Sequence, residues 1–167
     1  MKKLLVVIDM QNDFVTGVLG TNEAASIANS VAEYANNFDG DVALTRDTHH
    51  LNYLETQEGK NLPIVHCLEN TNGWKIISDI QKQNYIFNKE TFGSVDLANF
   101  IKDNKYETIE FIGVCTDICV ISNVLLTKAF VPEAKIIVHK NLCAGVTPES
   151  HENAINAMKA CQIIIED

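Results

Sequence analysis

Hydrophobic and polar positions follow two recurring patterns along this chain, short apolar runs and longer amphipathic segments. The run Lys3–Ile8 is almost continuously apolar, which is typical of a parallel strand that is covered on both faces. The next segment, residues 23–38, places apolar side chains three and four positions apart. This spacing predicts a helix with one buried stripe, for which Thr21 or Asn22 is a suitable N-cap.

The same two patterns predict the remaining elements. Apolar runs predict strands at residues 41–45, 64–67, 85–88, 108–114, 135–139 and 162–165. Helices are predicted at residues 94–103 after a Ser94 cap, at 117–130, and at 148–160, where Thr147 is the N-cap and Pro148 the first helical residue. Residues 47–62 are polar and aperiodic, which predicts a loop with one or two helical turns. A loop of this length is usually functional.

The alternation of strands with helices of 10–15 residues predicts βαβ units and a parallel sheet. Right-handed crossovers then place helices on both faces. We therefore expect one domain spanning residues 1–167, a three-layer α/β fold around a six-stranded, mainly parallel, Rossmann-like sheet. Ligands of such sheets bind at the carboxyl ends of the strands, so site residues should directly follow strands.

Composition narrows the function classes. Of 167 residues, 13 are Lys or Arg and 22 are Asp or Glu, giving a net charge of −9 that disfavours nucleic acids and anionic membrane surfaces as partners. No apolar stretch approaches the roughly 20 residues that span a bilayer, and the apolar N-terminal run stops at Asp9, too early for a signal peptide. The five cysteines are odd in number and irregularly spaced, which favours a reducing cytoplasm over a disulfide framework.

Three residues that could carry covalent chemistry follow predicted strands. Asp9 directly follows the first strand, where partial burial would make its carboxylate a usable base. Lys89 follows the strand at 85–88. Cys119 lies in the first turn of the predicted helix after the strand at 108–114, where free N–H groups and the helix dipole would stabilise a thiolate. Taken singly, Asp9 and Lys89 are better explained by ordinary roles in a loop and on the surface, whereas Cys119 is equally compatible with a nucleophile and with a small core residue.

A second group of residues could bind a metal. Asp47 and His49 follow the second strand, His50 is adjacent, and His66 lies near the end of the predicted strand at 64–67. Carboxylate and imidazole ligands together suit zinc, manganese or iron, although a polar loop with solvated histidines would have the same sequence. His139, at the end of a predicted strand, and His151, on a helix predicted to be exposed, carry no comparable signal.

Three motifs together resemble the isochorismatase-like cysteine hydrolases, most closely the nicotinamidase branch. Residues 9–14 (DMQNDF) match the family's D-x-Q-x-D-F motif, and residues 89–94 (KETFGS) match its lysine motif. Residues 113–120 (GVCTDICV) match its nucleophile motif, G-V-x-T-D-x-C-V, which is the most specific of the three. The resemblance extends from about residue 6 to residue 145.

The resemblance implies a function and a set of site residues. It implies Asp9, Lys89 and Cys119 as the catalytic triad, a cis peptide between Val114 and Cys115, and backbone N–H groups of Cys115 and Cys119 as the oxyanion site. It implies a divalent metal, zinc first, with manganese or iron as alternatives. The implied metal ligands are Asp47, His49, Glu58 (with Glu55 as the fallback) and His66. The proposed contacts to the substrate ring are Phe14 and Trp74.

Three functions remain open at this point. The first is hydrolysis of nicotinamide to nicotinate and ammonia through a thioester, a step in pyridine nucleotide salvage. The second is hydrolysis of another small amide or carbamoyl compound by the same triad. The third is a non-catalytic binding or redox-sensing protein that uses Cys115 and Cys119. If the protein is a hydrolase, we expect Lys89 and the helix N-terminus to lower the pKa of Cys119. Family members often form homo-oligomers, but no interface is predicted by the sequence.

Overall fold

The computed structural model describes residues 2–167 and contains one sheet of six parallel strands. The strand order is β3-β2-β1-β4-β5-β6, so the chain builds outward from β1 in one direction and then in the other. The strands are β1 (Lys3–Ile8), β2 (Asp41–Asp47), β3 (Tyr85–Lys89), β4 (Thr108–Val114), β5 (Lys135–Ala144) and β6 (Ile164–Glu166). The predicted three-layer α/β class and the six parallel strands are confirmed.

Six helices surround the sheet. They are α1 (Asn12–Val15), α2 (Asn22–Asn37), α3 (Gln57–Asn61), α4 (Val95–Asn104), α5 (Ile121–Phe130) and α6 (Pro148–Ala160). Short turns precede two of them, a 3₁₀ turn at Tyr53–Glu55 before α3 and a π-helical turn at Thr116–Val120 before α5. The predicted N-caps are confirmed, because the side chains of Thr21, Ser94 and Thr147 each accept a hydrogen bond from a backbone N–H in the first turn.

Side chains of the central strands point alternately to the two faces of the sheet, and each face has its own hydrophobic core. Leu4, Val6 and Ile8 of β1 face α4, α5 and α6, together with Phe111 of β4. Leu5 and Val7 face the opposite side, where α2 and the segment around Ile77 and Ile80 cover the sheet. Both faces of β1 are therefore buried, which explains its continuous apolar sequence.

Three predicted elements differ from the structure. Residues 64–67 do not form a strand; Ile64 and Val65 are exposed, and only Leu68 pairs, in an isolated bridge with His49. The strand predicted at 135–139 continues to Ala144, with an irregularity in its pairing between Phe111 and Gly113. The helix predicted at 117–130 begins as the π-helical turn, because the N–H of Val120 bonds to the carbonyl of Cys115, five residues back.

Gly113 allows β4 to pass close to β1 just before the nucleophile motif. Its φ is +117°, and a Cβ at this position would lie 2.2 Å from the carbonyl oxygen of Ile8. Only glycine accepts both conditions without strain. The carboxyl ends of β1 and β4 are thereby brought together, and Asp9 and Cys115 leave the sheet side by side.

No helix among residues 2–167 combines the length and the apolar character needed to cross a membrane.

Candidate active site

Asp9 is fully buried at the carboxyl end of β1. Its backbone has a positive φ of 47°, a strained conformation for a residue with a side chain. Its Oδ1 accepts a 2.6 Å hydrogen bond from the Thr45 hydroxyl, and its Oδ2 lies 2.6 Å from Lys89 Nζ. Burial raises the pKa of Asp9, and Lys89 only partly opposes this effect. The carboxyl group therefore takes up a proton more readily than an ordinary aspartate, as a general base requires.

Lys89, the last residue of β3, connects the other two candidate groups. Its Nζ lies 3.5 Å from Cys119 Sγ and 3.5 Å from Asp47 Oδ1, and it donates a 3.1 Å hydrogen bond to the carbonyl of Thr91. Burial alone would lower the pKa of Lys89, but the charges of Asp9, Cys119 and Asp47 raise it above its ordinary value. Lys89 is therefore a permanent cation among three acidic groups.

Cys119 is buried within the π-helical turn at the carboxyl end of β4. The sequence-based expectation of a lowered thiol pKa is wrong. Burial raises the pKa of Cys119 well above its ordinary value, and the carboxylate of Asp9 adds to this effect more than Lys89 opposes it. The resting thiol is therefore protonated, and a thiolate forms only when its proton can pass to a nearby base.

Cys115 lies between β4 and the turn that carries Cys119. The peptide bond between Val114 and Cys115 is cis, as the resemblance implied. The carbonyl of Cys115 accepts hydrogen bonds from the N–H groups of Ile118 and Val120, both at 3.1 Å. Burial also raises the pKa of the Cys115 thiol, to about 12, so this thiol is not an activated nucleophile either.

Four side chains beside this triad form a ligand cluster. One oxygen or nitrogen atom from each of Asp47, His49, Glu58 and His66 lies within 4.8 Å of the others. The distances from Asp47 Oδ2 to His49 Nε2 and His66 Nε2 are 2.9 and 3.5 Å, and those from Glu58 Oε1 are 3.5 and 3.8 Å. The structure thus brings Glu58 to the cluster, whereas Glu55 is exposed.

The donor set of this cluster fits a divalent metal. Ligands bound to zinc at 2.0–2.2 Å in tetrahedral geometry lie about 3.4 Å apart, close to the separations seen here. His49 Nε2 is buried and makes no well-directed hydrogen bond, although Asp47 is near. The Nδ1 atom of His66 lies 2.7 Å from the carbonyl of Ile64, which orients its Nε2 toward the cluster.

The charges of the cluster shift its own pKa values. Burial would raise the pKa of Asp47, but the close imidazoles of His49 and His66 and the charge of Lys89 hold it well below its ordinary value. Burial would lower the pKa of His49, but Asp47 and Glu58 raise it to about 9. In the absence of a metal, a proton on His49 therefore compensates the two carboxylates.

A cavity of about 270 Å³ lies between Cys119 and the ligand cluster. Cys119 and Cys115 lie on one wall, and Asp47, Glu58 and His66 lie on another. The remaining wall residues are mostly apolar: Phe14, Leu19, Thr21, Leu62, Phe92, Val114, Ile118 and Val146. This volume lies just below the range of about 300–1,000 Å³ for pockets that hold drug-sized ligands, so the cavity suits a smaller molecule.

The two predicted aromatic contacts have different positions. Phe14 lines the cavity, with its ring 5.6 Å from that of His66. Trp74 does not line it; its ring stacks against the guanidinium of Arg46, and its Nε1 donates to the hydroxyl of Thr48. Trp74 therefore packs against the segment that leads from β2 to His49, and it does not face the cavity.

Sequence reasoning gave no role to two buried polar residues of the site. Gln11 donates through Nε2 to the carbonyls of Asp47 and Trp74, and its Oε1 accepts from the N–H of Asp47. Thr45 binds Asp9. Gln11 could have been noticed as part of the first motif, whereas Thr45 is indistinguishable from any other strand threonine.

Comparison with known proteins agrees with this geometry. The family model for the isochorismatase domain matches residues 3–167. An uncharacterized isochorismatase family protein PncA of Bacillus subtilis is 29% identical over 175 residues, covering 93% of each chain. A nicotinamidase of Saccharomyces cerevisiae is 26% identical over 168 residues, covering 71% of this chain and 77% of the relative.

A solved structure is also closely similar. The pyrazinamidase of Pyrococcus horikoshii, crystallised in complex with zinc, superposes with a TM-score of 0.88 at 28% identity, covering 99% of this chain and 98% of that one. The fold, the ordered motifs and the family match lead to the same assignment. The chain belongs to the isochorismatase family and is a hydrolase of that family, similar to nicotinamidases and pyrazinamidases.

Proposed function

We propose that this protein is a cysteine amidohydrolase that cleaves the C–N bond of a small amide, with nicotinamide as the first substrate to test. The observation that carries the proposal is the contact of Asp9 and Cys119 with Lys89 beside a four-residue ligand cluster, with Cys119, Asp47, Glu58 and His66 on the wall of one small cavity. The relatives named nicotinamidase and pyrazinamidase support an aromatic amide as the substrate.

The triad accounts for both halves of the reaction. Cys119 Sγ attacks the amide carbonyl carbon while its proton passes to Asp9, whose raised pKa suits this role. The tetrahedral intermediate collapses, the C–N bond breaks, and Asp9 returns the proton to the departing ammonia. A water molecule, deprotonated by Asp9, then hydrolyses the thioester, giving the carboxylic acid and restoring the thiol.

Charge development is stabilised from two sides. Lys89, 3.5 Å from Cys119 Sγ, faces the sulfur as it becomes a thiolate and so offsets the cost of removing its proton. The backbone N–H groups of Cys115 and Cys119 are proposed to hold the oxyanion, a role in which loss of one donor typically costs a factor of about 10²–10³ in rate.

We propose that Asp47, His49, Glu58 and His66 hold a divalent metal, with zinc favoured by the donor set and by the zinc-bound neighbour. A metal held there supplies a Lewis-acidic position for an acceptor atom of the substrate. The protein's own residues would fix the rest of the substrate, with Phe14 against its ring and the apolar wall packing against the remainder of the acyl group.

A second substrate class is favoured by the lining of the cavity. Apart from the ligand cluster, the wall is aliphatic at Leu19, Leu62, Ile118 and Val146, which would also accept the acyl group of another small amide or carbamoyl compound.

The proposed location of the protein is the reducing cytoplasm, with a role in pyridine nucleotide salvage if nicotinamide is the substrate. The homo-oligomer expected from the resemblance stays a prediction.

The test is ammonia release from nicotinamide and pyrazinamide by zinc-replete protein, with the metal content measured on the same sample. Release that is lost in Cys119→Ala supports the proposal. If the protein binds metal but releases no ammonia, the substrate is another small amide, and carbamoyl compounds should be tested next. Reversible oxidation of Cys115 and Cys119 without hydrolysis of any amide would contradict the proposal and favour a redox-sensing role.

A further inference from the structure

A buried hydrogen bond ties helix α6 to the turn that carries the nucleophile. Thr116 is fully buried, and its Oγ1 lies 2.7 Å from Nδ1 of His151, which is on α6. Among residues 2–167 the Thr116 hydroxyl makes no other hydrogen bond that meets ordinary geometric limits. The contact joins residues 35 positions apart, so it fixes the turn relative to an element outside the catalytic motifs.

A second contact holds the same two segments together. The Asp117 carboxylate accepts a 3.1 Å hydrogen bond from the N–H of Val146, a residue of the cavity wall. Gly145 packs directly against His151, since a Cβ at this glycine would lie 2.9 Å from the His151 Cβ. The segment from Gly145 to His151 is therefore fitted closely against the turn Thr116–Val120.

The turn has backbone hydrogen bonds of its own but no side-chain cap at its N-terminus. Its N-cap residue, Cys115, makes no side-chain capping hydrogen bond, and its π-helical geometry differs from that of the α-helix that follows. Short π-helical turns are uncommon and are often found at functional sites. A displacement of the reacting group by about 1 Å can cost about 100-fold in rate, so the position of this turn matters for catalysis.

We propose that His151 is a positioning residue, which acts through the Thr116 hydroxyl to hold Cys119 in register with Asp9 and Lys89. The inference rests on the proposed function, since it concerns the same nucleophile. His151 does not line the cavity and touches no reacting group. Burial lowers the pKa of His151, so at neutral pH the ring is uncharged and keeps one nitrogen able to accept a hydrogen bond from the Thr116 hydroxyl.

The test compares His151→Ala with His139→Ala. His139 is the control, because it is another histidine with a close side-chain contact, 2.6 Å from Glu110, and it does not line the cavity. Both variants should lose stability. Only His151→Ala should lower kcat, by about 10-fold to 100-fold, with KM changed less than about twofold.

Two further variants separate positioning from folding. His151→Asn keeps a polar atom near the Nδ1 position and should restore most of kcat. Thr116→Val removes only the hydroxyl, should lower kcat as His151→Ala does, and should add little to it in the double variant. Both variants retain most of the packing at their sites, so they remain informative if His151→Ala does not fold.

A substrate-independent measurement distinguishes this inference from the proposed function. The pH profile of Cys119 alkylation, followed by peptide mass analysis, should shift toward lower pH in His151→Ala and Thr116→Val but not in His139→Ala, because the thiol moves away from Asp9. If the native protein hydrolyses no amide yet the profile shifts, the proposed function fails and the positioning role stands. An unchanged kcat and an unchanged alkylation profile in His151→Ala and Thr116→Val would overturn the positioning role.

Discussion

Lys89→Met tests the electrostatic balance of the site. The substitution replaces a buried ammonium by an apolar side chain of similar length and leaves Asp9 and Asp47 without their common cation. Removing one partner of a buried ion pair costs about 3–5 kcal/mol, because the other charge stays buried and unpaired. Lys89 is only 4% exposed, so solvent provides almost no screening of that cost.

A second route gives the same magnitude and adds a pH dependence. Asp9 can escape its unpaired state by taking up a proton, which at pH 7 costs about 4 kcal/mol relative to its ordinary pKa of about 3.9 and at pH 5 about 1.5 kcal/mol. In the variant the folded-state pKa of Asp9 is therefore raised further. The penalty is small near the unfolded-state pKa and grows as pH rises, so Lys89→Met should be destabilised less at pH 5 than at pH 7.

The assay is urea unfolding of metal-free protein at both pH values, followed by far-ultraviolet circular dichroism. The control is Lys135→Met, which removes an exposed ion pair with Glu166 at 4.0 Å and should cost less than about 1 kcal/mol. The double variant Asp9→Asn with Lys89→Met should be more stable than Lys89→Met alone. A loss below about 1 kcal/mol at pH 7, or one that does not change with pH, would refute the reasoning.

The remaining predictions concern the thiols and the ligand cluster. Cys119→Ala should abolish amide hydrolysis without changing the circular dichroism spectrum, whereas Cys115→Ser should keep at least about a tenth of kcat, since only its backbone N–H is used; complete loss in the serine variant would contradict the assignment. Alkylation of Cys119 in the free enzyme should still accelerate above pH 9, and a plateau below pH 8 would show that its pKa is not raised. Glu58→Gln should weaken zinc binding at least about tenfold in a chelator competition, whereas Glu55→Gln, an exposed position, should leave it unchanged.

The fold could be predicted because its elements have local signals. Buried parallel strands such as β1 and β4 are mostly apolar, and α2, α4 and α6 begin directly after Thr21, Ser94 and Thr147, whose side chains cap them. Residues 64–67 have the same composition as a strand, yet the chain leaves the sheet there. A short apolar run of this kind does not distinguish a strand from a segment that pairs with no strand of the sheet.

The positions of the site residues could be predicted better than their chemistry. Asp9, Lys89 and Cys119 follow strands, and the parallel sheet brings such residues to one edge. The pKa of Cys119 depends instead on how completely it is buried and on the distance to Asp9, neither of which is encoded locally. Two further contacts join distant segments of the chain, that of the Trp74 ring with Arg46 and that of His151 with Thr116. No periodicity or motif in the sequence specifies either contact.

The dispersal of the site over the sheet has a consequence for how the protein gains and loses activity. Four different strands carry the site at or just after their carboxyl ends: β1 for Asp9, β2 for Asp47, β3 for Lys89 and β4 for Cys119. In the sheet, β1 lies between β2 and β4, and β3 lies beyond β2. Such non-local pairing is assembled late and cooperatively during folding. We therefore expect catalytic competence to appear only with the complete sheet, so that enzyme activity and the circular dichroism of the whole chain should disappear over the same range of urea concentration.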